Sequence, residues 1–174
     1  MMSRACSGAL GNIARGFGAL FVIAVAGMPV FATPARAQPS TEFTQTAMTF
    51  YTLCREARDA GDARNAVETC AASESDVVAL RDQTPGATTE EQDYVAFVLA
   101  VIQQGIAAEA MDLEEGVRTA EVCAAAERAW TSFREITPGS TTFSIVAPTA
   151  GGAADDVRHC RREHGTPVGA RPLP

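Results

Sequence analysis

GDARNAVETCAASESDVVALRDQTPGATT, residues 61–89, and EEGVRTAEVCAAAERAWTSFREITPGSTT, residues 114–142, align without a gap at an offset of 53 residues. Glu68 falls on Glu121, Cys70 on Cys123, Glu74 on Glu127 and Arg81 on Arg134. Thr84-Pro85-Gly86 falls on Thr137-Pro138-Gly139. Shared alanines follow from composition; a shared cysteine and a shared Thr-Pro-Gly in one register do not. The chain reads as an internal repeat, and a repeat of this length dictates architecture. The same offset carries Cys54 to Ala107 and on to Cys160, so two units and part of a third are present.

Helical periodicity runs through both copies. Phe43, Ala47, Phe50 and Cys54 recur every three to four residues, which predicts a first helix over 41–60. Gly61-Asp62 breaks it, and a second helix is expected over 63–83 with Val67, Cys70, Ser73, Val77 and Leu80 inward. Pro85 ends that helix, because a residue preceding proline is disfavoured in helical geometry. Thr88 or Thr89, with Glu91 or Gln92 three residues on, reads as a capping box opening a helix over 90–111. That helix is apolar almost all round, as suits the middle of a bundle or solenoid. A fourth helix is expected over 114–136, facing inward through Cys123, Ala126, Trp130 and Phe133, with Glu127 off that face and uninvolved in packing. After the second Thr-Pro-Gly the copies diverge. TTFSIVAPTAGG, with Pro148 and Gly151-Gly152, reads as a loop over 140–152, followed by a short helix over 153–163. The predicted fold is all-α: two stacked antiparallel hairpins and a short C-terminal helix, stapled by disulfides.

The first 37 residues read as a signal peptide: Arg4 and Arg15, an apolar run at 17–31 too short to span a bilayer, then Ala35-Arg36-Ala37 as a cleavage site. A single helical repeat domain is expected over 38–164, and a disordered proline-rich tail over 165–174. From Gln38 onward the chain holds 11 arginines, no lysine and 21 carboxylates, a net charge of −10. An acidic chain without a basic cluster is a poor partner for nucleic acid or an anionic membrane. Beyond the leader there are four cysteines, Cys54, Cys70, Cys123 and Cys160, an even number that in an exported chain reads as two disulfides. Cys54 and Cys70 lie eight residues either side of Asp62, opposite one another in a hairpin, which pairs them and leaves Cys123 with Cys160.

Catalytic motifs are missing from the sequence. Its two histidines are His159 and His164, and it has no lysine for Schiff-base chemistry. Asp155, His159 and Glu163 share a helix face at i, i+4, i+8 and are the nearest approach to a metal site, but the reading preferred for them is a solvated face, and no metal is assigned. No cofactor and no catalytic residue is assigned. Phe143, Ile145 and Val146 lie in the expected loop, where they either cover the core or form a patch for a partner.

Leu53-Cys54-Arg55, a second cysteine at Cys70 and PGATTEEQDYVAFVLAVI at 85–102 together resemble the Tai-type immunity proteins, across residues 50–102. The resemblance implies a helical periplasmic protein that binds and blocks a cell-wall amidase toxin delivered by type VI secretion. It carries over no binding residue. The expectation is a non-enzymatic exported protein, periplasmic or secreted, that works by binding another protein. A small-molecule or metal-binding protein and an envelope stress or scaffold protein are the alternatives.

Overall fold

The computed structural model describes residues 41–173, so the expected signal peptide lies outside the described residues. Five helices follow one another: α1 (Thr41–Asp59), α2 (Ala63–Gln83), α3 (Thr89–Leu113), α4 (Ala120–Glu135) and α5 (Thr141–His164), with no strand among the described residues. Local chemistry fixes their ends. Gly61 takes φ +77°, and Asp62 then caps α2 by accepting from the Asn65 N–H. Thr88 and Glu91 form the reciprocal capping box at α3, the Thr88 N–H donating to Glu91 Oε2 at 2.7 Å.

Two boundaries differ from the sequence reading. α4 begins at Ala120 rather than near 114, because Glu115 and Gly116 take φ +53° and +85° and the Gly116 N–H closes back on the Met111 carbonyl. The break therefore comes two residues later than Gly61 would place it in register, and Thr119 supplies the cap. The larger correction is α5. Residues 140–152 are no loop: Ser140 caps the Phe143 N–H and the helix runs on through Pro148 without interruption. Proline removes one backbone donor there, but Pro148, Gly151 and Gly152 all face solvent. Thr142, Val146, Ala150, Ala153, Val157 and Cys160 continue one stripe at helical spacing, and packing through it overrides the local propensities.

α3 packs against each of the other four helices. It is long and apolar enough to cross a membrane by length and composition, yet here it is the core helix. Its two sides differ. Val95, Val98, Leu99, Ile102 and Ile106 join Phe43, Cys54, Cys70 and Val77 in one cluster under α1 and α2. Ala96 and Ala100 face Trp130, Phe133, Ile136, Val146 and Val157 in a second. Alanines on α3 leave the room that the two aromatics of α4 fill, so volume is conserved across the interface.

Cys54 pairs with Cys70 and Cys123 with Cys160, the connectivity expected from the hairpins. The segment after α5, read as disordered from its prolines, instead folds back along α4. The Trp130 indole N–H donates to the Pro172 carbonyl at 3.2 Å, Arg161 Nη2 donates to the Arg171 carbonyl at 2.8 Å, and Leu173 packs on the second cluster. Arg134 lies over the Trp130 ring with its guanidinium carbon 5.8 Å from the centroid.

Trp130→Ala is expected to cost about 3–5 kcal/mol, because it empties the centre of the second cluster. Urea denaturation measures it, and a loss under 1 kcal/mol, about the size of a surface change, would place the indole outside the core. Peptide mapping without reduction is expected to recover Cys54 linked to Cys70 and Cys123 linked to Cys160.

Candidate functional site

The outer face of the first half of α5 is the surface that stands apart. From Thr137 to Ala154 the sequence has no charged side chain, in a chain in which one residue in five is charged. Thr142 and Val146 turn inward. Phe143, Ser144, Ile145, Ala147, Pro148, Thr149, Gly151 and Gly152 are exposed. Phe143 is 38 % and Ile145 69 % accessible, whereas Val146 is 2 % accessible and belongs to the core. Of the three apolar residues singled out in the sequence, two therefore present themselves to solvent, and they do so from a capped helix rather than a loop.

The acid-histidine-acid row does not converge. Asp155, His159 and Glu163 are exposed on α5. The Asp155 carboxylate is taken by Arg158, and Arg162 Nη2 meets His159 Nδ1 at 2.6 Å. His164 Nε2 turns away to the Arg118 carbonyl. Among the described residues no three His, Cys, Asp or Glu side chains are grouped to hold a metal ion.

A cleft of about 300 Å³ opens where α3, α4 and α5 meet. Gly105, Ala108, Ala126, Ala129 and Ala153 line it with short side chains, and Arg58, Arg118 and Asp156 supply its charge. Gly105 has a specific reason to lack a side chain: a Cβ there would lie 3.2 Å from Arg58 Cδ. Arg58 crosses α3 at that point and donates from Nε to Glu109 Oε1 at 2.9 Å. Arg118 is less committed, its nearest carboxylate oxygen being Asp156 Oδ1 at 4.0 Å, beyond hydrogen-bond reach. This cleft was not legible in the sequence, because alanines at core spacing give no sign of whether three helices close over them.

Glu127 corrects another expectation. Although off the Trp130 face, it receives two hydrogen bonds from Arg161, Nε to Oε1 at 2.6 Å and Nη2 to Oε2 at 2.8 Å. Its repeat counterpart Glu74 receives the same fork from Arg128, at 2.8 and 3.1 Å, and also accepts from Gln103 Nε2. The hydrogen bonds to Glu127 hold the Arg161 pKa above its usual value despite the opposing effect of burial. A raised pKa contributes stability that is intact below the ordinary arginine range and is lost only as pH rises beyond it. Glu127→Ala leaves a mostly buried guanidinium without its carboxylate and is expected to destabilise by roughly 2 kcal/mol. Chemical denaturation of the variant checks this, and wild-type stability would show the fork to be ornamental.

No protein-family model matches the chain, and comparison with curated proteins and with solved structures returns no significant match.

Proposed function

We propose that this protein acts by binding another protein, and that the outward face of the first half of α5 is the contact surface. The observation that carries the reading is the 18-residue stretch without charge, Thr137 to Ala154, which exposes Phe143 and Ile145 on a rigid helix of an otherwise acidic chain. Depletion of charge with one or two exposed apolar anchors is the composition of an interface centre. The likeness of residues 50–102 to the Tai-type immunity proteins supports an inhibitor or immunity role, with a cell-wall amidase toxin as the kind of partner. The expected export of the chain, its two disulfides and the reading of its hairpins as copies of one unit all accord with such a role.

The test is a double replacement, Phe143→Ser with Ile145→Ser, on the exposed side of a helix whose core stripe is left untouched. Capture of a partner from periplasmic extract is expected to fall at least about tenfold, the loss of two small anchors. The melting temperature is expected to stay within about 2 °C, as for other surface changes. Undiminished capture would remove α5 from the interface.

A small-molecule binder is the second reading, favoured by the cleft between α3, α4 and α5. An apolar ligand bearing one acidic group suits its alanine walls and Arg118, which is held only loosely by Asp156 at 4.0 Å. The anionic dye 1-anilinonaphthalene-8-sulfonate is expected to bind saturably, and Arg118→Gln to weaken it several-fold. Absence of saturable fluorescence would end this reading.

A further inference from the structure

The segment that follows α5 is held by its backbone. Gly165 takes φ +84° and ends the helix, and residues 165–169 are exposed. Pro167 to Ala170 form a turn, closed by the Ala170 N–H on the Pro167 carbonyl at 3.2 Å, with Gly169 at φ +78° in its third position. Residues 170–173 then return to α4 and α5. Trp130 Nε1 donates to the Pro172 carbonyl at 3.2 Å, and Arg161 Nη2 donates to the carbonyl of the preceding residue, Arg171, at 2.8 Å. Ala170 and Leu173, three residues apart, are half-buried, while Arg171 and Pro172 between them are exposed.

Donors of this kind read a carbonyl and not a side chain. An indole N–H and a guanidinium that meet successive carbonyls, beside an apolar notch, are the elements that recognise extended proline-containing segments. Both donors are set in place by other contacts. The fork to Glu127 orients Arg161, and Arg134 lies over the Trp130 ring. The segment itself is lightly held. A space of about 350 Å³ is bounded by Val168 and Gly169 of the turn on one side and Arg128, Thr131 and Glu135 on the other. Val168 is fully exposed. Attachment therefore falls on two carbonyls and one leucine, all of which another segment of the same pattern can supply. Proline at the position of Pro172 lowers the entropy lost on docking, because its φ is already set.

We propose that the groove carrying Trp130 and Arg161 binds an extended segment of another protein with the pattern small–x–Pro–Leu, and that residues 170–173 occupy it as a built-in inhibitor. A basic residue is favoured at x, since an exposed cation there is drawn to an acidic chain. The groove is separate from the contact face proposed on the first half of α5, so either stands without the other.

Trp130 is the single tryptophan of the sequence, so its indole N–H gives one resonance that reports the bond to Pro172. Leu173→Ser in the ¹⁵N-labelled protein is expected to release the segment and move that resonance toward the position of a water-exposed indole. Gly169→Val, which strains the turn at φ +78° without touching the core, is expected to do the same. Titration of either variant with acetyl-VGARPL-amide, residues 168–173, is expected to return the resonance saturably. The unaltered protein is expected to bind this peptide at least about fivefold more weakly, because its own segment competes at an effective concentration in the millimolar range. Alanine in place of the peptide's proline is expected to weaken binding about threefold. The reversed peptide, LPRAGV, is expected to give no saturable shift. An indole resonance that neither variant moves, no return on adding peptide, equal binding of the reversed peptide, or equal affinity of variants and unaltered protein would each overturn the proposal. An indole resonance that returns in the variants with rising protein concentration alone would assign the groove to a second copy of this chain and overturn it too.

Discussion

Everything in this fold answers to the need to cover α3 on both sides. A 25-residue helix with branched aliphatics on one flank and alanines on the other cannot be left half in water, since each square ångström of apolar surface removed is worth roughly 25 cal/mol. The two flanks ask for different partners. The side bearing Val95, Leu99 and Ile102 is met by the medium side chains of α1 and α2, and the alanine side by Trp130 and Phe133 of α4. The polar residues that α3 nevertheless buries each have a task. Glu91 closes the capping box, Asp93 holds Thr137, and Gln103 donates to Glu74 while accepting from Ser132 at 2.9 Å. Those bonds set the register of α3 against its neighbours, which apolar packing alone leaves loosely specified.

The disulfides serve the outer helices. Cys54–Cys70 ties α1 to α2 and Cys123–Cys160 ties α4 to α5, while α3, which has no cysteine, is held by its burial. The repeated cysteine thus bonds backward in the first copy and forward in the second. The repeated glutamate does something similar, Glu74 reaching Arg128 on α4 and Glu127 reaching Arg161 on α5. One pattern of residues is used to attach a different next element each time. Both forks are arginine-carboxylate pairs with two parallel bonds, a geometry that fixes orientation as well as supplying energy.

The architecture was largely readable because it rests on period and punctuation. The positions of α1, α2 and α3, the inward face of Cys123, Ala126, Trp130 and Phe133, and both cysteine pairings follow from spacing alone. Local propensity points the other way where packing decides. Pro148 and the paired glycines argue for a loop over 140–152, yet the stripe from Thr142 to Cys160 was present in the sequence and outweighs them. α4 starts later than the repeat register implies because Gly116 sits two residues away from the register of Gly61. The proline-rich end looked free because its anchors are carbonyl oxygens, and a backbone acceptor for the Trp130 indole leaves no mark on the sequence. The cleft belongs to the same class. It arises from how far apart helices stop, which composition does not encode.

α5 is the helix in which stability and surface pull apart. Proline costs about 3 kcal/mol in a helix interior and each glycine about 1 kcal/mol relative to alanine. Pro148, Gly151 and Gly152 incur those costs at exposed positions, where none of them contributes to the core. A helix selected for stability alone would carry alanine, glutamate or arginine there, as the rest of this chain does on its outer faces. The core stripe, the Ser140 cap and the bond from Cys123 to Cys160 supply enough order to keep the helix despite them. What the costly residues leave outside is a smooth, uncharged strip with Phe143 and Ile145 standing from it, in a protein that is otherwise densely acidic. Small side chains let another backbone approach closely, and the absence of charge means that no ionised group must be desolvated when it does. Stability has been given up on the outward face alone, and that is the face a contact surface would need.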